Sequence, residues 1–323
     1  MRRMGRLKAL ITWDLDEKLY SELQKEFRNI EFEKCLEEKE ILAKVVDMDI
    51  VYAGVFSREH FLKATRLKWM QLNRHGANAY LFPEMIHSKV LLTNSGQVFS
   101  IPISEHVFAL MLSHSRKIFE LREGQLRGKW LNNEMRPYLS ELYGKVICLV
   151  GVGNIGKEVA KRAKAFGMKV IGIRKNSQIP NQYVNQMYSM KDIEYVFGIA
   201  DYVVITLPGT RDTTGLIGKK ELLYLKKDAY LINVGRGSVI IEEDLIAYLK
   251  ANQSAGAGLD VFTTEPLPGE SQFYSMKNVT LTPHIAHASP AAALRQVAIF
   301  KENLKRYLSN KPLENLVNKQ EGY

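Results

Sequence analysis

Two cysteines in 323 residues, Cys35 and Cys148, form no C-x-x-C or Cys/His spacing, so the chain offers neither a disulfide framework nor a thiolate metal centre. Apolar runs are short: none approaches the roughly 18 to 20 residues needed to span a bilayer. The opening MRRMGRLKALITWD is basic, but its apolar stretch is cut by Lys8 and ends at Asp14. That is too short for a secretory h-region, so no signal peptide is expected and a reducing cytoplasm is the expected location. Internal repeats and low-complexity linkers are missing as well. No basic block with interleaved aromatics accompanies the formal charge of +10, because Lys and Arg are spread along the chain among Glu and Asp. Nucleic acid and membrane are therefore not expected partners, whereas a basic balance suits anionic small molecules.

The composition is that of a globular protein long enough for two domains, 46% hydrophobic and 25% charged. Segments 7–12 (LKALIT), 50–55 (IVYAGV), 68–73 (KWMQLN) and 89–93 (KVLLT) read as short buried strands, and the Glu/Lys-rich stretch 16–44 as helix with breaks. From Ser104, EHVFALMLSHSRKIFELREGQL keeps helical spacing behind Pro102 and predicts one long helix capped by that serine. Six further strand segments, KVICLV, KVIGIR, YVVITL, AYLINV, GAGLDV and VTLTP, alternate with helices between Lys145 and Pro283. The pattern predicts an α/β fold with a doubly wound parallel sheet. Residues 289–309 regain helical period, with Pro290 suited to a first turn.

Gly151-Val152-Gly153-Asn154-Ile155-Gly156 follows KVICLV directly and precedes the helical KEVAKRAKAFG. In that context the first glycine permits a tight turn, the second lets a pyrophosphate approach the backbone, and the third lets helix pack on strand. The helix N-terminus then offers amide donors to phosphate. At the tip of the second strand, where an NAD enzyme usually offers Asp or Glu to the ribose 2'-hydroxyl, the chain has Arg174-Lys175-Asn176-Ser177, and no acid appears between Glu158 and Asp192. Arg174 can fork onto a 2'-phosphate and Lys175 adds a point charge, which favours NADP while leaving NAD possible. Leu207 and Pro208, which end YVVITLP, are counted with the cofactor site.

Three later segments end strands with polar residues, where ligands of such sheets bind. Val234-Gly235-Arg236-Gly237 sets an arginine between glycines, able to clamp a carboxylate and polarise a carbonyl. Glu265 lies on the Pro-rich loop after Gly258-Leu259-Asp260, and His284 follows Thr282-Pro283. A carboxylate bonded to an imidazole favours the protonated ring, so His284 held by Glu265 is suited to give a proton to a carbonyl oxygen.

The motifs GVGNIG, INVGRGSVI, GLDVFTTEPLP and TPHIAHAS, in this order, resemble the D-isomer-specific 2-hydroxyacid dehydrogenase family, and the likeness covers nearly the whole chain. It extends to LTNSGQVFSIPISEHVFALMLSHSR and to GKWLNNEMRPYLSELYGKVICLVGVGNIG. The resemblance implies two Rossmann-like domains: a flavodoxin-like substrate domain from residues 1–102 and 287–323, and an inserted dinucleotide domain over 103–286. It implies Arg236, Glu265 and His284 as catalytic residues, with Val234, Gly235, Arg236, Asp260 and His284 also at the cofactor and Asp260 fixing its nicotinamide end. The substrate carboxylate would meet the loop of Arg74, His75, Gly76 and Ala77; Arg74 and His75 would either recognise a further anionic or polar group or face water.

Domain closure over the substrate, a homodimer, and a short 2-oxo acid such as glyoxylate or hydroxypyruvate are further implications. The chain ends soon after its last helix, without the extra regulatory domain of some long phosphoglycerate dehydrogenases, so serine feedback is not expected. His287, where small residues are common in the family, leaves substrate size open. The rival readings are a dinucleotide-sensing corepressor-like scaffold and oxidation of a donor such as phosphite; formate is disfavoured because the family's formate enzymes pair the histidine with Gln rather than Glu.

Overall fold

Short apolar segments separated by helix-forming stretches can bury both faces only as parallel strands with helical crossovers. The computed structural model, which describes residues 6–178 and 180–322, shows this arrangement twice. It divides into two compact units, Met1–Phe99 with Ser289–Tyr323, and Ser100–Ala288.

The first unit carries β1 (Leu7–Ile11), β2 (Ile30–Lys34), β3 (Ile50–Ala53), β4 (Trp69–Leu72) and β5 (Leu91–Thr93). They are parallel, in the order β2-β1-β3-β4-β5. Successive side chains alternate between faces: Leu10, Val51, Met70 and Leu92 enter one core, and Ala9, Ile11, Ile50, Tyr52 and Trp69 the other. The helix Pro290–Leu308 covers the second face with Val297, Phe300 and Leu304, at helical spacing. Phe300 stacks on Tyr52 with ring centroids 4.2 Å apart. Burying each such side chain contributes about 1.5–3 kcal/mol.

One expectation fails here. Residues 16–44 are not broken helix alone, because β2 lies between the helices Glu17–Glu26 and Glu38–Lys44. Ile30-Glu31-Phe32-Glu33-Lys34 is an edge strand with charged residues at alternate positions, which reads locally like a solvated helix.

The second unit contains β6 (Val146–Val150), β7 (Lys169–Ile173), β8 (Gln186–Tyr188), β9 (Tyr202–Ile205), β10 (Tyr230–Asn233), β11 (Gly256–Leu259) and β12 (Val279–Leu281). The order is β12-β11-β10-β9-β6-β7-β8, with every pair parallel. Chain direction across the sheet reverses between β6 and β9, the topological switch point of a doubly wound sheet. The expected six strands are present, and β8 is an additional three-residue edge strand.

The long helix also differs from expectation. It starts at Ser100, so Ser104 lies inside it and bonds back to the Ile101 carbonyl at 2.7 Å instead of capping. It then breaks at Lys117, which takes φ 54°, before a second helix Ile118–Leu126. The buried face of the first helix, through Val107, Leu110 and Met111, has no continuation beyond the break, where Ile118 and Phe119 are half exposed. Among the described residues no helix is long and apolar enough to cross a membrane.

Candidate active site

Parallel register puts the carboxyl ends of β6, β9, β10, β11 and β12 on one edge, so the residues that follow these strands share that edge. After β6 the chain turns through Gly151 at φ 100° and enters the helix Asn154–Ala165. A Cβ on Gly156 would overlap the Gly151 carbonyl oxygen, so this helix can approach the turn only with glycine there. Thr206, just beyond β9, donates to the same carbonyl at 2.8 Å and fixes the turn. The helix opens on Gly153, which has no side chain to cap it, and nothing lies within 4 Å of where a Cβ on Gly153 would project. A bare helix N-terminus facing open space fits a dinucleotide pyrophosphate.

Beyond β7, Arg174 is half buried and Lys175 exposed. Lys175 pairs with Asp212 at 3.6 Å, an exposed contact of little energetic weight. Asn176 accepts from the Gln178 amide at 3.2 Å, which shapes the loop.

The β10 turn is set by Asn233, buried at the strand end. Its amide donates to the Arg236 carbonyl at 2.9 Å, and its oxygen accepts from the Gly235 amide at 3.1 Å. Arg236 lies half buried between the glycines, with Nη1 2.7 Å from the Gly235 carbonyl. Gly237 packs directly on the Phe262 backbone, leaving no room for a Cβ. The Phe262 amide in turn donates to Glu265 Oε1 at 2.9 Å, and Glu265 Oε2 lies 2.6 Å from His284 Nδ1. A chain of contacts thus links the arginine turn to the Glu/His pair.

His284 takes φ 51°, a left-handed conformation that costs a non-glycine residue about 1–3 kcal/mol. Asp260, 1% exposed, holds this segment in place. Its carbonyl accepts from the His284 amide at 2.8 Å, and its carboxylate from Thr282 Oγ1 at 2.6 Å and from the Ile285 and Ala286 amides at 3.0 Å each. The His284 side chain remains 41% exposed. His287 meets that ring edge-on, centroids 5.8 Å apart.

In the first unit Arg74 and His75 are exposed, yet both tie their loop down: Arg74 Nη2 donates to the Gly54 carbonyl at 3.1 Å, and His75 Nδ1 lies 2.9 Å from the Gly96 carbonyl. Gly76 and Ala77 follow, Ala77 being buried. Sequence reasoning missed Thr206, Asn233, Thr282 and His106. The signal available for the first three was their place one or two residues around the end of a parallel strand; His106 lies on a helix and gave none.

The glycine turn beneath a bare helix N-terminus, at one edge of a sheet with a switch point, makes the second unit a dinucleotide-binding domain of the doubly wound class. Residues 108–286 match the family described as D-isomer specific 2-hydroxyacid dehydrogenase, NAD binding domain. A glyoxylate reductase of Thermococcus gammatolerans is 32% identical over 97% of this chain and 96% of its own length. A D-3-phosphoglycerate dehydrogenase of Methanocaldococcus jannaschii is 31% identical over 97% of the chain, which spans only 59% of that relative. Among solved structures, an NADPH-dependent glyoxylate/hydroxypyruvate reductase of Sinorhizobium meliloti, in complex with NADP and sulfate, matches with a TM-score of 0.84 and 25% identity, covering 98% of this chain and 100% of that one. The chain belongs to the D-isomer specific 2-hydroxyacid dehydrogenase family.

Proposed function

We propose that the protein reduces a short 2-oxo acid, glyoxylate or hydroxypyruvate, to the 2-hydroxy acid with NADPH as the preferred donor. The observation that carries this reading is the pair of His284 Nδ1 and Glu265 Oε2 at 2.6 Å, on the same strand-end edge as Arg236 and the glycine turn.

Gly151, Gly153, Asn154, Ile155 and Gly156 would hold the pyrophosphate on backbone amides, and Leu207, Pro208, Val234 and Gly235 would line the path beside it. Bound NADPH supplies a hydride to the carbonyl carbon. Arg236 holds the substrate carboxylate and polarises the carbonyl. Glu265 orients the imidazole through Nδ1, so the proton that the carbonyl oxygen takes is held on Nε2. Asp260 holds the backbone of the His284 segment through three donors, two on Oδ1 and one on Oδ2, and the remaining lone pair of Oδ2 would serve the nicotinamide end.

Arg174 in place of a carboxylate supports NADPH, as does the cofactor named for the Sinorhizobium meliloti relative. Two buried, unpaired cysteines support a reducing compartment, and the exposed apolar side chains Leu126, Trp130 and Tyr138 support a homodimer through the second unit. The test is initial-rate oxidation of NADPH and of NADH against glyoxylate, hydroxypyruvate, pyruvate and larger 2-oxo acids, for the wild type and Arg174→Ser. NADPH preference that Arg174→Ser erodes about tenfold or more supports the reading. Equal use of both cofactors overturns the assignment of Arg174, and cofactor binding without turnover of any oxo acid overturns the enzyme.

A further inference from the structure

We propose that His106, on the helix Ser100–Arg116, is a positioning residue for the proton donor His284, acting through Thr282 and Asp260. The inference rests on the reading of His284 as the acid in 2-oxo acid reduction.

Thr282 has one hydroxyl hydrogen and Asp260 accepts only, so at 2.6 Å the hydrogen of Thr282 Oγ1 points to Asp260 Oδ1. His106 Nε2 lies 3.0 Å from Thr282 Oγ1. The hydroxyl has only lone pairs left to offer it, so Nε2 carries a hydrogen and donates. The same nitrogen is 3.8 Å from Asp260 Oδ1, at the limit of a direct ion pair, so the hydroxyl is the coupling atom.

The downstream half of the relay is already in place. Asp260 Oδ1 accepts from the Ile285 amide and Oδ2 from the Ala286 amide, and these two residues follow His284 directly. With φ 51° at His284, this backbone has a more relaxed conformation available and stays where the carboxylate holds it. If His106 does not donate, the Thr282 oxygen loses the partner that holds it from the helix side, the Thr282–Asp260 pair is free to shift together, and the carboxylate can turn. The His284 ring then moves relative to Glu265, and a displacement of about 1 Å in a reacting group is worth on the order of 100-fold in rate.

His106→Leu removes the donor, and His106→Gln returns an N–H at the reach of Nε2. The reading predicts that His106→Leu lowers kcat about 10- to 100-fold with KM for the oxo acid and Kd for NADPH changed less than threefold, and that His106→Gln restores kcat to within about threefold. Ring-nitrogen NMR of histidine-labelled protein is the readout that needs no turnover. His106 should show Nε2 protonated and Thr282→Val should shift that signal, while deuteration of the 282–288 peptide should quicken in His106→Leu. A bare Nε2 at His106 in the wild type overturns the proposal, as does His106→Leu with wild-type kcat, or loss of kcat in His106→Leu that Gln does not restore. A wild type that turns over no oxo acid overturns the dehydrogenase reading instead, and the tautomer and exchange measurements then still decide the relay.

Discussion

His114 should make the second unit acid-labile. It sits near the end of the helix Ser100–Arg116, stacked on Tyr230 of β10 with ring centroids 4.0 Å apart and planes 19° from parallel. Burial, reinforced by the charge of Lys117, pushes its ring down from an ordinary value near 6.5 to about 4. The sign follows from linkage: below pH 6.5 the unfolded chain takes up a proton that the folded ring refuses, so stability falls as pH drops towards 4. Between pH 7.5 and pH 5 the loss comes to about 2 kcal/mol, an upper figure because the ring is only partly buried. For a unit of this size that is about 4–8 °C in Tm. The assay is thermal unfolding at both pH values for the wild type and His114→Gln. The variant gives up the stacking contact and should melt lower at pH 7.5, yet the difference should shrink or reverse at pH 5, because carboxylates that also titrate are common to both proteins. An identical pH dependence in the two would refute the argument.

Replacing His284 by Ala should lower kcat by about 100- to 10,000-fold while the Kd for NADPH, read by nicotinamide fluorescence, stays within a few-fold; retained turnover would remove it from the acid role. In Asp260→Asn either rotamer of the amide sets an N–H against the Ile285 or Ala286 amide, a buried mismatch costing about 1–3 kcal/mol, so kcat should fall at least tenfold and peptide 282–288 should exchange faster. Gly237→Ala meets backbone atoms of Phe262, which cannot swing away as a side chain would; a lower Tm and a reduced kcat are expected together, and an unchanged kcat would break the proposed link from the arginine turn to Glu265.

The apolar strands of both sheets were legible because a strand covered on two faces is apolar at every position, as in Val146–Val150 and Ile50–Ala53. The glycine turn was legible because it needs residues without Cβ atoms at fixed offsets. Edge strands were not: Ile30–Lys34 bears charges at alternate positions, and Gln186–Tyr188 is too short to show a period. Nor was the break at Lys117, since neither glycine nor proline marks it. Arg236, Glu265 and His284 stood out as ionisable groups after strands, whereas what their neighbours do could not be read. His106 and Thr282 are 176 residues apart, and only the packing of a helix against the end of β12 brings them to 3.0 Å.

That division has a physical cause that bears on how such a site is built. The groups proposed to touch substrate are partly exposed, as His284 must be to reach a carbonyl, and exposed side chains on loops are poorly fixed by packing. Precision is therefore supplied from behind, by polar residues buried at the strand ends: Asn233 closes the Arg236 turn with both ends of its amide, and Asp260 takes three donors from the His284 segment. Each is 1% exposed and bonded to backbone or hydroxyl partners, so neither is replaceable by an apolar residue of similar size without orphaning amides. A substitution at Asn233 or Asp260 should accordingly weaken catalysis as severely as one at Arg236, although neither is assigned to the substrate.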